Sequence, residues 1–397
     1  MRKIYDEVHG YIKLNDDEAA LIDISEFQRL RRIKQTSLAY LVYPGAVHTR
    51  FSHSLGAFYL AGILGNRIKE LGMITDEEIE YLKIASLLHD IGQFPYTHSL
   101  EPLYLEKGFS NKDLRTMIIL KSPNFESFFE KNSIDRKKII DILNGNSLIS
   151  SIINSDVDVD RMDYLVRDSR HTGVQLGNID LYRLLDTISY GYDNEILIQD
   201  KGIYSLENFF IARLHMYQAV YYHKTIIGYE LMLREILKLI HDCCNQAITD
   251  VNSIKSLVYD GNISYWDDEW VFSLLYNYLY SSESPDYLKH KIKNFLDRKG
   301  PKVVYEEISF NDSKESKKIE EIKSFLERYN IPSSSIYPLE EKITIINRDK
   351  LRIIRNNKEM SINEFKSTLL STIPQILTIR RVYVDYEYAK KAREVLQ

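Results

Sequence analysis

Histidine and aspartate side chains stand close together in short, otherwise apolar stretches of this chain. Taking such groups out of water is costly unless they bind something or pair with one another. Two imidazoles and two carboxylates form a mixed set of ligands that suits a divalent ion such as Mn, Fe, Mg, Ni or Zn. Each group taken alone also has an ordinary explanation, as a hydrogen-bonded core histidine or a helix N-cap. The four residues are His53 in HTRFSHSLG, His89 and Asp90 in LLHDIGQFPYTHSLE, and Asp160 in DVDVDRMDYLVRD.

Arginines and tyrosines recur beside these groups at helical spacing. Arg50 precedes His53 by three positions, so a helix there would bring a guanidinium to the same centre, where it could clamp a phosphate. A polar stripe facing inward is hard to explain as core, although on a solvated face it would be ordinary. Such a stripe begins at Asp160, where a helix would place Tyr164 and Asp168 on the same face at i+4 and i+8, with Arg161 next to Asp160.

Another stripe lies in FFIARLHMYQAVYYHKTIIG, where cations and aromatic rings share one helix face. Cations suit phosphates and rings suit a sugar or base, so the pattern indicates nucleotide binding. The same residues would serve equally as a packing face whose charged ends reach solvent. The stripe consists of Arg213, Tyr217, Tyr221 and Lys224.

Composition sets limits on the function. The chain has 397 residues, a formal net charge of −5, and 44% hydrophobic and 27% charged residues, as in an ordinary soluble globular protein. The acidic balance argues against non-specific nucleic-acid binding. We see no signal peptide and no apolar run long enough to cross a bilayer, and therefore expect a cytoplasmic protein without a membrane partner.

The first part of the chain is predicted to be mostly helical. Thr75 and Glu78 form a capping box, and the apolar spacing that follows predicts a helix from about Thr75 to Asp90, with Gly92 as its stop. The last of the other predicted helices is long enough to be broken in two. These other helices span residues 54–71, 112–121, 136–143, 159–167 and 205–243.

Beyond about residue 246 the pattern changes. Two further helices, in SYWDDEWVFSLLYNYLY and PDYLKHKIKNFLDRKG, precede a mixture of strands and helices. KVVYEEISF, EKITIINR, LRIIRNN and RVYVDYEY have strand character, whereas KESKKIEEIKSFLERYN and SINEFKSTLLSTI have helical character. We expect a mainly α protein with a smaller C-terminal α+β lobe at roughly 290–397, and divide the chain at 1–245 and 246–397.

In this order, FQRLRRIKQ, YPGAVHTRFSHSLG, LLHDIGQFPYTHSLE and DVDVDRMDYLVRDSRHTG resemble the HD-domain phosphohydrolases. Within them the chain is most similar to the deoxynucleoside triphosphate (dNTP) triphosphohydrolases related to the human SAM-and-HD-domain enzyme. The resemblance covers roughly residues 1–230. It implies a helical HD-domain core and release of a deoxynucleoside and inorganic triphosphate from a dNTP.

The resemblance also implies a role for each matching residue. His53, His89, Asp90 and Asp160 would ligate one catalytic metal, Arg50 would contact phosphate, and His98 would protonate the leaving 5′ oxygen. The substrate would be held at its triphosphate or sugar by Arg161, Tyr164, Arg213 and Lys224, at its 3′-hydroxyl by Gln35 and Asp168, and at its deoxyribose by Tyr221.

Two departures from the family pattern matter. Asn111 and Lys112 stand where relatives often carry a His-Glu pair, and Gln93 stands where they often carry a histidine. Glu101 is the nearest spare carboxylate to His98. The alternatives are therefore a phosphohydrolase acting on another nucleotide phosphate ester, and a nucleotide-binding sensor that has lost turnover.

Regulated relatives bind an activating nucleotide between subunits through a segment that resembles IDISEFQRLR. Asp23, Gln28 and Arg31 match the positions that read a guanine base there, although Tyr5 replaces an expected polar residue. The alternative to an activator site is that this segment is simply a charged helix surface. The same resemblance implies a homodimer or homotetramer and a guanine-nucleotide activator.

Overall fold

Helices make up most of the protein, as expected from its sequence. The structure is a computed structural model that describes residues 1–191, 196–244, 250–311, 318–356, 358–365 and 368–397. The helices up to the middle of the chain are α1 (Asp16–Ile22), α2 (Ser25–Gln28), α3 (Arg50–Glu70), α4 (Asp76–Leu88), α5 (Glu101–Leu105), α6 (Asn111–Lys121), α7 (Pro123–Lys131), α8 (Arg136–Asn144), α9 (Val159–Thr172), α10 (Leu181–Thr187), α11 (Ile203–Met216) and α12 (Lys224–Cys244).

The centre of the fold is formed by α3, which packs against both α4 and α9. Thr75 caps α4, and the Glu78 carboxylate accepts a hydrogen bond from the Thr75 backbone N–H, which confirms the predicted capping box. Asp158 caps α9 by accepting from the Arg161 backbone amide. These caps fix where the polar residues of the two helices emerge from the apolar core.

The end of α4 differs from the prediction. The helix stops at Leu88, so His89 is its C-cap and Asp90 lies in the following turn. Gly92 does not end the helix through a left-handed conformation. Instead, a Cβ there would overlap the backbone at Asn111 and Arg115, so the absence of a side chain lets this turn approach α6 closely.

The predicted long helix over 205–243 is broken, as expected. Between α11 and α12 the chain forms a five-residue π-helical turn, Tyr217–Tyr221. Such turns are rare and occur frequently at functional sites. This one interrupts the predicted stripe between Tyr217, which lines the cavity described below, and Lys224, which is exposed.

The rest of the chain combines helices and strands. The four predicted strand segments are present: KVVYEEISF has the observed bounds of a strand, and the other three are shifted. SINEFKSTLLSTI is not a helix in its described residues: Ser361 ends a strand and Ile362–Glu364 form a single 3₁₀ turn. The helices are α13 (Val251–Tyr259), α14 (Asp268–Tyr280), α15 (Asp286–Leu296), α16 (Lys318–Arg328) and α17 (Ala389–Leu396).

Three small sheets complete the fold. An N-terminal hairpin pairs β1 (Arg2–Asp6) with β2 (Gly10–Leu14), which the helical prediction for this region missed. A second sheet has the order β3-β4-β7-β8, and a third, fully antiparallel, has the order β5-β9-β6. Their strands are β3 (Ile188–Tyr190), β4 (Ile196–Gln199), β5 (Lys302–Phe310), β6 (Ile336–Thr344), β7 (Arg352–Arg355), β8 (Lys358–Ser361) and β9 (Ile376–Val384).

The second sheet joins the two halves of the chain. β4 pairs in parallel with β7, so Leu197 lies beside Arg352. The expected division after residue 245 falls on residues 245–249, outside the described residues, and it stays a prediction. In the described ranges, no helix has the length and apolar character needed to cross a membrane.

A test of the α3–α9 contact follows from Gly56 in α3. A Cβ at Gly56 would overlap the Asp163 carboxylate and crowd Arg167. We expect Gly56→Ala to lower the free energy of unfolding by about 2 kcal/mol, measured by urea denaturation. Gly62→Ala, in the same helix, is the matched control, because its Cβ would meet nothing closer than a Lys83 methylene at 3.8 Å. Equal stability of the two variants would contradict this packing.

Candidate metal centre and substrate cavity

Imidazole nitrogens and carboxylate oxygens converge where α3, α4 and α9 meet. His53, His89 and Asp90 offer ligand atoms that all lie within 4.8 Å of one another. The Nε2 atoms of His53 and His89 are 3.1 Å apart, and Asp160 Oδ1 lies 3.0 Å from His53 Nε2 and 3.7 Å from His89 Nε2. Asp160 could therefore add a fourth ligand.

Hydrogen bonds on the far side of each ring orient the two histidines. His89 Nδ1 donates to the Ser86 carbonyl at 2.7 Å, which leaves a lone pair on His89 Nε2 in the neutral ring. His53 Nδ1 lies 2.7 Å from Asp163 Oδ2. Metal-binding histidines are usually held in this way through the ring nitrogen that does not bind the metal.

The electrostatics of the centre also suit a cation. Burial alone would raise the pKa of Asp90, but the positive charges of Arg50, His89 and His53 hold it well below its ordinary value. Burial opposes a charge on His53, yet hydrogen bonds to Asp160 and Asp163 raise its pKa to about 10. Asp160 and Asp163 thus favour a proton on His53, and a divalent cation bound at His53 Nε2 would replace that proton.

A buried carboxylate supports the centre from behind. Asp163 is fully buried and binds His53, His9 Nε2 at 2.6 Å and two nitrogens of Arg167. Burial would raise the pKa of Asp163, but Arg167 and these hydrogen bonds hold it well below its ordinary value. The charge that orients His53 is therefore permanent at neutral pH.

Arg50 joins the metal centre to a neighbouring cavity. Its Nη1 donates to Asp90 Oδ2 at 2.8 Å and its Nη2 to the Gln35 carbonyl at 3.1 Å. Arg50 Nε is buried and has no hydrogen-bond partner in the described structure. Gln93 donates to the other oxygen of Asp90 at 2.9 Å, so it fixes this carboxylate where relatives often carry a histidine.

The cavity has a volume of about 420 Å³, within the usual range for small-molecule sites. It brings together most of the residues that the sequence singled out, from six separate segments of the chain. Those that line it are Gln35, Arg50, Asp90, His98, Asp160, Arg161, Tyr164, Asp168, Tyr217 and Tyr221.

A hydrogen-bonded chain forms one wall. The Tyr221 hydroxyl donates to Asp168 Oδ2 at 2.7 Å, and Asp168 Oδ1 lies 2.7 Å from His48 Nε2. The His48 ring stacks on His171 at a centroid distance of 4.3 Å. The Tyr221 ring is thus fixed in position while its face remains part of the cavity wall.

His98 projects from a strained turn on another wall. Its side chain is 70% exposed, and its Nδ1 lies 3.2 Å from Glu101 Oε2. The two preceding residues, Tyr96 and Thr97, have φ values of 51° and 44°, which are uncommon for residues other than glycine. Glu101 itself does not line the cavity, so it contacts His98 from behind.

The predicted phosphate cations are not equally available. Arg161 lines the cavity but is paired with Asp158. Arg213 is buried outside the lining, where its Nη2 donates to the Thr344 carbonyl at 2.8 Å. Lys224 is exposed and also lies outside the lining.

The segment matched to an activator site makes its own contacts. Asp23 pairs with Arg2 at 2.7 Å, and Gln28 donates to the Ile22 carbonyl. Arg31 donates to Gln28 Oε1 at 2.8 Å and lies 3.5 Å above the Phe51 ring. None of these three residues belongs to the cavity lining.

Several residues of the site were not singled out from the sequence. His48 and Asp163 lie within the quoted motifs, and Asp163 follows Asp160 by three positions, a spacing that could have indicated it. Further cavity residues come from elements far along the chain and carried no local signal. They include Glu230 and Arg234 on α12 and Leu339 and Glu341 on β6.

Comparisons with known proteins agree with this geometry. The HD domain family matches residues 50–168 and the HD associated region matches residues 179–259. An uncharacterized protein of Methanocaldococcus jannaschii is 42% identical over 248 residues, covering 61% of this chain and 51% of that protein. The match therefore spans about half the length of this archaeal relative.

Other relatives match more of the chain or have a named activity. The uncharacterized protein YwfO of Bacillus subtilis is 31% identical over 342 residues, covering 83% of this chain and 77% of that protein. The human deoxynucleoside triphosphate triphosphohydrolase SAMHD1 is 30% identical over 265 residues, covering 56% of this chain and 42% of that protein.

A solved structure matches the fold over almost its whole length. The phosphohydrolase of Bacteroides thetaiotaomicron has a TM-score of 0.78 and 26% identity, covering 97% of this chain and 99% of that one. The matched HD domain contains His53, His89, Asp90 and Asp160. The chain belongs to the HD-domain phosphohydrolases.

Proposed function

We propose that this phosphohydrolase cleaves deoxynucleoside triphosphates to a deoxynucleoside and inorganic triphosphate. The observation that carries the proposal is a cluster of two histidines and two aspartates that meets one cavity through Asp90 and Asp160, where a guanidinium, a histidine and a fixed tyrosine ring also lie. The likeness to the human triphosphohydrolase supports the choice of substrate.

The ligand set would hold a divalent cation through His53, His89, Asp90 and Asp160. Such a cation supplies Lewis-acid polarisation of a phosphoryl oxygen and activation of water near neutral pH. Arg50 would bind the same phosphate, because its Nε is buried and has no hydrogen-bond partner in the described structure. A charged donor fixed in this way stabilises the charge that builds up on the phosphoryl oxygens.

His98 would complete the reaction as a general acid. Water adds to the α-phosphorus while the bond to the 5′ oxygen breaks, and His98 gives its proton to that oxygen. Glu101, 3.2 Å from His98 Nδ1, would hold the ring with its other nitrogen free. This pairing would replace the His-Glu pair that is missing at Asn111 and Lys112.

The fixed tyrosine wall would select the sugar. Gln35 and Asp168 would bind the 3′-hydroxyl, and Gln35 Oε1 is buried with no hydrogen-bond partner in the described structure. The Tyr221 ring would pack on the deoxyribose, where a 2′-hydroxyl would collide with it. Tyr164, whose ring lies 5.8 Å from that of Tyr221, would support this wall.

A second candidate has an observation in its favour. Arg213 and Lys224, two of the four residues expected at the triphosphate or sugar, lie outside the cavity lining. A shorter phosphate ester, such as a nucleoside monophosphate, needs fewer cations. The guanine-nucleotide activator, bound through Asp23, Gln28 and Arg31, and the homodimer or homotetramer remain predictions.

Product analysis separates these functions. The purified protein is incubated with Mn²⁺ and each dNTP, ribonucleoside triphosphate and deoxynucleoside monophosphate, with and without GTP, and products are resolved by ion-exchange chromatography. We expect a deoxynucleoside and inorganic triphosphate from dNTPs. Phosphate released only from monophosphates would support the second candidate, and no turnover with bound metal would support a sensor.

Two substitutions should separate metal binding from proton transfer. Asp160→Ala removes a ligand, so bound metal measured by mass spectrometry and turnover should both fall at least tenfold. His98→Gln should keep the metal but slow turnover about a hundredfold or more. Asp186→Ala, at an exposed aspartate outside the cavity, is the control and should leave both metal content and turnover unchanged. Full metal content in Asp160→Ala would contradict the ligand assignment.

Sugar selection should depend on the Tyr221 ring itself. Tyr221→Ala removes the surface against which a 2′-hydroxyl collides, so the ratio of kcat/KM for dATP over ATP should fall about tenfold. Tyr221→Phe keeps the ring and loses only the hydrogen bond to Asp168, so it should retain most of the preference. Equal ratios in wild type and Tyr221→Ala would rule out this contact.

A further inference from the structure

Two loops of the cavity lining are held from behind by the start of α14. The first, residues 34–37 (the Gln35 loop), brings Gln35 to the cavity, and the second, residues 96–99 (the His98 loop), brings His98 there. The two loops are far apart in sequence. Both contact Asp268, the first residue of α14, which does not itself line the cavity.

The Asp268 carboxylate binds the backbone of both loops. Its Oδ1 accepts a hydrogen bond from the Tyr96 amide at 2.7 Å, and its Oδ2 accepts one from the Lys34 amide at 2.9 Å. Lys34 directly precedes Gln35, and Tyr96 lies two positions before His98. Each oxygen therefore fixes the start of one loop, and a single carboxylate sets the spacing between the two loops.

The backbone of both loops adopts conformations that need such support. Ser37 has a φ value of 52°, and Tyr96 and Thr97 have values of 51° and 44°. Residues other than glycine are uncommon in this left-handed region, and strained conformations persist only where surrounding contacts determine them. The hydroxyls of Ser37 and Ser99 lie 2.6 Å apart and join the loops directly. The loops thus form one unit with Asp268 at its back.

Burial and charge make the contacts of Asp268 strong. Its side chain is fully buried. Burial raises the pKa of Asp268 to about 6, although the amides of Lys34 and Tyr96 act in the opposite direction, so the carboxylate is mainly ionised at neutral pH. Hydrogen bonds to an ionised group are roughly twice as strong as those between neutral groups. Both loop amides are therefore held by a charge.

A shift of the Gln35 loop would also reach Arg50. The Gln35 amide donates to the His48 carbonyl at 3.0 Å, and Arg50 Nη2 donates to the Gln35 carbonyl at 3.1 Å. On the other loop, the Tyr96 ring is buried and lies 6.1 Å from the ring of Phe272 on α14. The position of α14 is thus transmitted to side chains on two walls of the cavity.

We propose that Asp268 is a positioning residue, which places His98 for proton transfer and Gln35 for the sugar by binding the two loops together (the Asp268 clamp). This inference rests on the proposed function, which supplies the roles of those two side chains. A displacement of about 1 Å can cost a hundredfold in rate, so a fixed spacing between the acid and the substrate contact has direct catalytic value.

Amide hydrogen exchange tests the Asp268 clamp without any substrate. Asp268→Asn offers one acceptor oxygen in place of two, so one of the two backbone amides loses its hydrogen bond. Mass spectrometry of peptides that contain Lys34 and Tyr96, from the full-length protein loaded with Mn²⁺, should show about tenfold faster exchange in the released loop. Peptides from α3 and α9 should exchange as in the wild type.

A double-mutant cycle tests whether the Asp268 clamp acts through His98. In the wild-type background, Asp268→Asn should lower kcat for dNTP hydrolysis about tenfold while bound Mn²⁺ stays unchanged. In the His98→Gln background, the same substitution should lower kcat by less than about twofold, because the proton donor that it displaces is already absent. Equal factors in the two backgrounds would indicate a merely structural role and overturn the proposal.

Glu269→Gln is the matched control. The Glu269 side chain is 69% exposed, and its Oε1 lies 3.8 Å from Lys34 Nζ, the same distance as Asp268 Oδ2. The control therefore loses the same contact with the lysine ammonium, whereas both loop amides still donate to Asp268. Exchange and kcat should stay at their wild-type values.

A second variant covers loss of the fold. If a melting curve shows that Asp268→Asn is unfolded, Asp268→Glu takes its place, since it keeps the charge but moves both acceptor oxygens. The same changes in exchange and kcat are expected. Unfolding of both variants would make Asp268 a structural residue and overturn the proposal.

The Asp268 clamp and the proposed reaction fail in different ways. Wild-type exchange and kcat in Asp268→Asn, with dNTPs still hydrolysed, would overturn the clamp and leave the hydrolase proposal standing. Faster exchange confined to the two loops, without hydrolysis of any dNTP by the wild-type protein, would support the clamp and reject the proposed reaction.

Discussion

The buried charge of Asp163 is the constraint on which the rest of the structure depends. This carboxylate binds His53, His9 and Arg167, and Arg167 also binds Asp6 in the N-terminal hairpin. Ions placed in an apolar interior are tolerated only when their partners are complete. The network therefore requires α3, α9 and the hairpin to be placed together, and the position of the metal ligands follows from that arrangement.

The parts of the site that depend on local spacing could be predicted from the sequence. The capping box at Thr75 follows from residues three positions apart, and the break in the 205–243 helix was expected from its length. His53 and His89 are 36 positions apart, so their convergence with Asp90 was expected from the types of ligand in apolar segments and not from spacing. The family match confirms the HD-domain resemblance, and the observed elements confirm the mainly helical fold.

Features that depend on contacts between distant segments could not be predicted. Nothing near Arg213 in sequence shows that one of its terminal nitrogens donates to the Thr344 carbonyl. The helix expected in SINEFKSTLLSTI was wrong, because Ser361 pairs with Arg352 in a sheet and this pairing outweighs its local helical pattern. The place of Glu341 in the cavity lining is also invisible without the fold, since β6 begins about 90 residues beyond the end of α12.

The parallel pairing of β4 with β7 has a consequence for synthesis of the chain. Leu197 and its partner Arg352 are separated by about 150 residues, so β4 leaves the ribosome long before β7 exists. At about 5–20 residues per second, this interval lasts on the order of 10–30 seconds. During it, the edge of β4 that later binds β7 is an open template for other strands. Nascent chains of this protein are therefore most exposed to aggregation at that edge, which gives chaperones a defined segment to protect.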